Sequence, residues 1–310
     1  MFQIKTEAFG EYEAYLLSDT TGAHQLKLVP AFGACVIDLQ LNGQAVLDTY
    51  QTPREMDINR WAKNVLLYPF PNRLKNGQYE WDGQAYAFPV NDVPTDNALH
   101  GFGTEQEMEV ADSEATADYA QVRCRFDYDG ALEYYPFPFR FEAAFTLRSG
   151  ALEVELSVEN TGASALPFGM GWHPYFRLSE DLANHHLHLP PCEMIGVDAA
   201  MIPTGKRYEY TTFSQPRRIG SEVLDNCFAL QQQEGRIEIV LTHADQELRY
   251  WQEVGEMGFP YVQLFTPPHR TCLAIEPMTC NIDAFNNGEG LIRVESGERR
   301  AAVFGVDKKP

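Results

Sequence analysis

The chain has 310 residues, with 44 acidic against 24 basic side chains and a formal net charge of −20. That balance excludes partners that need a basic patch, namely nucleic acid and anionic membrane surfaces. Hydrophobic residues make up 44% of the sequence, enough for a sizeable core.

The N-terminal run MFQIKTEAFGEYEAYLL carries acidic residues where a signal peptide has an apolar run. No stretch of about 18 uninterrupted apolar residues follows, so no membrane span is expected. VIDLQLNGQAVL (36–47) reads as a hairpin across Asn42-Gly43, and YEWDGQAYAF (79–88) as another across Asp82-Gly83. From Gln121 to Gly162 three strands are predicted, with turns at Asp129-Gly130 and Ser149-Gly150. In the last of them Leu152, Val154, Leu156 and Val158 share one face, while Glu153, Glu155, Ser157 and Glu159 share the other. Such period-two alternation means antiparallel strands with one solvated side. RIEIVLTH (236–243), YVQLFTP and TCLAIEP repeat the strand signal. No long amphipathic helix, linker, charge block or fixed-period repeat interrupts the pattern. The expected architecture is all-β: one large antiparallel β-sandwich domain over residues 1–310. The cysteines, Cys35, Cys124, Cys192, Cys227, Cys272 and Cys280, form no C-x-x-C pair, which fits reduced thiols in a cytoplasmic protein.

Four places carry chemistry-bearing side chains. In GMGWHPYF (169–176) two glycines relax the backbone and Pro174 pushes His173 toward an extended conformation between aromatic residues. In DNALHGFG, His100 sits at a turn before Gly101. In NRLKNGQYEWDGQAY, Asn72 and Arg73 follow two prolines. In CLAIEPMTCN, strand geometry puts Leu273 and Ile275 on one face and Cys272, Ala274 and Glu276 on the other. Small residues beside Glu276 leave room in front of its carboxylate, and Pro277 is expected to end the strand. Asp225, in VLDNCF, is a further polar candidate. Each of these residues also has an ordinary structural reading: a buried histidine, a turn former, an exposed arginine, a strand-end glutamate. Together they are the parts of a polyol site with an acid and a base. NHHLHLP (184–190) puts His186 and His188 on one strand face, but no third ligand has sensible spacing, so no metal is expected. The chain has no G-x-S-x-G, no P-loop and no G-x-G-x-x-G opening a helix, which removes hydrolase-elbow and nucleotide readings.

The motifs NRLKNGQYEWDGQAY, NALHGF, GWHPYF, VLDNCF and LAIEP, in that order, resemble the aldose 1-epimerase (galactose mutarotase) family. The resemblance covers most of the chain and implies a large antiparallel supersandwich, an isomerase without cofactors and a small-molecule aldose as substrate. It implies that Glu276 is the catalytic base, that His173 is the general acid, and that His100 is the second active-site histidine. Arg73 and Asp225 match residues that bind sugar hydroxyls. Asn72 stands beside Arg73 in the motif, and the chemistry of Trp172 suits packing against a sugar's apolar face. Proximity of Glu276 and His173 is expected to favour an ionised pair. One departure is Pro174, where galactose-specific members more often carry threonine. Free aldoses such as galactose or glucose are the expected substrates. Alternatives are a hexose 6-phosphate held by Lys63, Lys75 or Arg270, a non-catalytic sugar-binding protein, and a glycosidase using Glu276 and Asp225. A monomer or weak dimer is expected.

Overall fold

Asn-Gly and Asp-Gly pairs favour tight hairpins because both central residues take positive φ. In the computed structural model, which describes residues 1–309, Asn42 and Gly43 sit at φ 55° and 72°, and Asp82 and Gly83 at 49° and 82°. The flanking strands pair antiparallel: Cys35–Leu41 with Gln44–Ala45, and Gln78–Trp81 with Gln84–Ala87.

The strands assemble into antiparallel sheets of nine, eight and five strands, with smaller two-stranded pieces. At the heart of the nine-stranded sheet Tyr119–Tyr128, Phe139–Arg148, Ala151–Asn160 and Arg299–Lys308 lie side by side. Leu152, Val154, Leu156 and Val158 are buried, as their alternation requires. The opposite face is less solvated than the pattern predicts. Ser157 is buried there because Arg299, one strand over, donates to its hydroxyl at 2.9 Å. The expected tight turn at Asp129-Gly130 is a longer connection, residues 129–138. The Tyr128 hydroxyl organises it, accepting from the Leu132 amide and donating to the Tyr135 carbonyl, each at 2.8 Å.

Inner faces of the three large sheets share one hydrophobic core. Much of the aromatic content lies there: Tyr68 stacks on Phe141 with ring centres 4.0 Å apart, and Phe102 and Phe139 meet Tyr68 edge-on. Helices are short. Pro53–Ile58 starts with Thr52 accepting from the Glu55 amide and with proline in its first turn. No helix among the described residues is long and apolar enough to cross a membrane. All six cysteines are buried free thiols.

The eight-stranded sheet matters most for chemistry. Its neighbouring strands run Asp225–Leu230, Tyr261–Phe265, Leu273–Met278, then Gly171–Trp172 and Leu66–Leu67. Pro277 does not end its strand, which continues to Met278. The chain alongside explains why. Gly171 pairs with Met278 and Tyr175–Phe176 pairs with Leu273–Ala274, so His173 and Pro174 fall outside the ladder. Two prolines, Pro174 and Pro277, thus lie at an interruption where donors are not needed. At Gly171 any Cβ would meet the Pro277 carbonyl oxygen at 2.6 Å, so only glycine permits this close crossing.

Candidate active site

The interruption sets an imidazole beside a carboxylate. His173 is held through its backbone: its amide donates to Val65 O at 3.0 Å and its carbonyl accepts from Asn64 N at 2.9 Å. Across the gap Glu276 projects from the strand Leu273–Met278. His173 Nε2 and Glu276 Oε1 stand 3.4 Å apart, and Glu276 is 2% exposed. Leu273 and Ile275 enter the main core, whereas Cys272 and Ala274 pack with Tyr175 in a separate cluster, so the two faces divide as the alternation implies.

One face of the sheet carries three aligned polar side chains. Asp225 lies opposite Phe265, and Gln263 lies opposite Glu276. Gln263 Nε2 donates to Asp225 Oδ1 at 2.9 Å, and Gln263 Oε1 accepts from Asn72 Nδ2 at 3.2 Å. The Asn72 and His100 motifs are strand partners. Leu99 pairs with Arg73, and beyond it the His100 amide donates to Asn72 O at 2.9 Å. The Asn72 amide in turn donates to His100 Nδ1 at 3.1 Å. With Nδ1 accepting, a neutral His100 carries its proton on Nε2. His100 takes φ 64°, a left-handed conformation that histidine tolerates better than bulky residues. Its ring meets that of His173 edge-on with centres 5.3 Å apart. Arg73 is steered by Asp92, which accepts from its Nε at 2.8 Å.

These groups line a cavity of about 450 Å³: Glu276, His173, His100, Arg73, Asn72 and Asp225 all reach it. Trp172 does not. It is fully buried, stacks on Phe304 with ring centres 5.3 Å apart, and donates from Nε1 to Asn64 O at 3.0 Å. Along a chain bordering a sheet, neighbours point to opposite faces, so with His173 facing the cavity Trp172 faces the core. The aromatic walls are Trp61, Phe265 and Tyr175 instead, with Tyr175 parallel to His173 at 5.0 Å. Trp61 takes φ 70° and its carbonyl accepts from the Tyr175 hydroxyl at 2.8 Å.

Sequence reasoning also passed over Asn64, Asp92 and Gln263. Asn64 is buried and holds the histidine segment at several points: its carbonyl accepts from Trp172, its amide donates to His173 O, and its Oδ1 accepts from the Tyr175 amide at 3.0 Å. Gln263 had a readable signal, a lone amide in the apolar strand YVQLF. Asn64 and Asp92 had none, because their roles depend on which distant segments meet.

Burial governs the electrostatics. It holds His173 down, from its ordinary 6.5 to about 3. Burial also holds His100 well below the usual histidine range, with the charges of His173 and Arg73 adding to the effect. It pushes Glu276 well above the usual carboxylate range; Asp225 adds to this and Arg73 opposes it. The ionised Glu276–His173 pair expected from proximity is therefore disfavoured in the free site, because desolvation penalises both charges. A carboxylic acid beside a neutral imidazole holds the same single proton as carboxylate beside imidazolium. The Glu276 Oε2 atom is buried without a hydrogen-bond partner, and the residue lines the cavity.

Donors for a metal come together away from this cavity. Asp48, His269 and Cys272 bring ligand atoms within 4.8 Å of one another. Lys63 already sits 2.5 Å from Asp48, and burial pushes the Cys272 thiol up to about 12. That set fits an ion pair beside a protonated thiol, not a cation.

The family model for aldose 1-epimerase matches residues 16–306. The chain belongs to the aldose 1-epimerase family. The uncharacterized protein YihR of Escherichia coli (strain K12) is 28% identical over 281 residues, 88% of this chain and 87% of that one. Among solved structures, a galactose mutarotase-like protein from Clostridium acetobutylicum superposes with a TM-score of 0.88 at 21% identity, covering 99% of this chain and 98% of that one. The galactose 1-epimerase of Lactobacillus acidophilus NCFM superposes with a TM-score of 0.84 at 15% identity, covering 100% of this chain and 98% of that one. These structures share the fold.

Proposed function

We propose that this protein is a mutarotase that interconverts the α and β anomers of a free aldose by acid–base ring opening and reclosure. The observation that carries the reading is the buried Glu276–His173 pair, 3.4 Å apart on the cavity wall with Oε2 unpartnered. On sugar binding, the pair's single proton moves to His173 Nε2, leaving Glu276 as the base. Glu276 takes the proton of the anomeric hydroxyl while His173 gives its proton to the ring oxygen. The bond between the anomeric carbon and the ring oxygen breaks, and an open-chain aldehyde forms. Rotation about C1–C2 presents the other carbonyl face, the freed hydroxyl attacks, and both proton transfers reverse. His100 donates from Nε2 to a sugar oxygen without needing a charge. Arg73, Asp225 and Asn72 take the remaining hydroxyls. Nothing is oxidised and no group leaves, so no redox or phosphoryl chemistry enters the balance.

Charge favours a neutral sugar over a phosphorylated one. Among the described residues, Arg73 is the only lysine or arginine lining the cavity, and Asp92 already pairs with it. Lys63 is paired with Asp48, and Arg270 donates to the carbonyls of Gly220 and Glu222. Lys75 is exposed and outside the lining. A glycosidase needs two carboxylates flanking the scissile bond. Glu276 and Asp225 instead share one sheet face with Gln263 between them. A binding protein would have no use for a buried acid–base pair.

Polarimetry on freshly dissolved α-D-glucose and α-D-galactose tests the reading. The wild type should speed the approach to equilibrium, and Glu276→Gln should slow it by about 10²–10⁴-fold with sugar binding retained. A Glu276→Gln variant as fast as wild type removes Glu276 from the mechanism.

A further inference from the structure

The histidine-rich segment 184–190 leaves a feature that sugar chemistry does not use. His186 pairs with Thr242 and Leu187 with Leu241, so the same antiparallel register sets His185 beside His243 at the end of the ladder. Their rings lie 4.9 Å apart between centres, at an interplanar angle of 34°. Both histidines share a sheet face with Leu187 and Leu241, which belong to the main core. His185 is 0% exposed. Its Nδ1 donates to the Asp181 carbonyl at 3.0 Å, which leaves Nε2 as a bare lone pair. His185 Nε2 and His243 Nδ1 are both buried without any hydrogen-bond partner. Two orphaned imidazole nitrogens on adjacent rings call for an occupant.

We propose that His185 and His243 bind a divalent first-row transition metal ion, of the zinc, nickel or copper class that imidazole ligands suit. The spacing agrees. Ring centres 4.9 Å apart are close enough for both rings to reach one ion through metal–nitrogen bonds of about 2.0–2.1 Å. The Asp181 carbonyl fixes the tautomer of His185 in the way second-layer partners of metal-bound histidines do. Water completes the coordination at the half-buried His243 end. The outer face of the same strands is the weaker site. Glu247, the carboxylate beside His186 and His188, is taken by Arg249 at 2.7 Å and Lys309 at 3.1 Å. A bound ion would tie the turn Leu182–Asn184 to the end of the strand Gly235–His243.

Zinc chloride titrated calorimetrically into the full chain, freed of metal by chelator dialysis, is the test. One ion per chain should bind. Affinity should fall about tenfold or more in both His185→Gln and His243→Gln, while the double variant His186→Gln/His188→Gln keeps it. If His185→Gln does not fold, His243→Gln, altered at a half-buried strand end, carries the test. Copper(II) paramagnetic resonance of the wild type should then show coupling to two imidazole nitrogens. No zinc uptake, uptake that survives His243→Gln, or uptake lost only in the outer-face variant overturns the proposal.

Discussion

His173 offers a measurement of stability that reads the proton count of the site directly. Burial holds its folded pKa near 3 against an ordinary 6.5. A histidine depressed in the fold contributes stability that is present above its unfolded value and is lost as pH falls toward its folded value. Between pH 6.5 and 3 the unfolded chain takes up a proton that the folded site refuses. The whole window is worth about 5 kcal/mol, and the part reached at pH 5 about 2 kcal/mol. Denaturant unfolding of wild type and His173→Asn at pH 7.5, 6.5, 5.5 and 5 isolates this contribution, because the other titrating groups are common to both. The wild type should lose about 2 kcal/mol more than the variant between pH 7.5 and 5. One proton shared by Glu276 and His173 gives this difference whichever atom holds it. Parallel curves would mean that the folded pair accepts a second proton, and the argument from burial would fail.

Two further perturbations separate positioning from contact. Asn64→Ala strands the Tyr175 amide and the Asp48 carbonyl and puts alanine at φ 59°, which should cost roughly 3–6 kcal/mol of unfolding free energy, measured by denaturant titration. Asn64→Gly relieves the backbone part alone and should recover about 1 kcal/mol. Trp61→Ala, on the cavity wall, should raise KM about two- to tenfold in polarimetric assays. Trp172→Phe keeps the stack on Phe304 but loses the bond to Asn64, so it should lower stability by about 1 kcal/mol and leave KM unchanged. The reverse pattern for the two tryptophans would restore Trp172 to the sugar.

Alternation and turn pairs make the strands legible because both are local: a hairpin at Asn42-Gly43 needs only its own six or eight residues. Sheet order is not local. Nothing in Arg299–Lys308 announces that it lies between Ala151–Asn160 and Gln246–Val254. The site divides the same way. Glu276, His173, His100, Arg73, Asn72 and Asp225 stand out because each breaks an apolar or glycine-proline context, and all six reach one cavity. Trp172 misleads because its facing is decided by the crossing at Gly171 and Pro277 and by partners as distant in sequence as Asn64 and Phe304. Trp61 and Asn64 hide in a segment whose backbone, with φ of 70° and 59°, follows no regular pattern.

The break in the ladder at Pro174 and Pro277 has a consequence for tempo. Glu276 sits inside the paired strand Leu273–Met278, and His173 is held by main-chain bonds to Val65 and Asn64. Their mutual geometry is made when the chain folds, before any ligand enters. For the mutarotation proposed above, such a frame asks for no lid or hinge to close before a sugar ring can open.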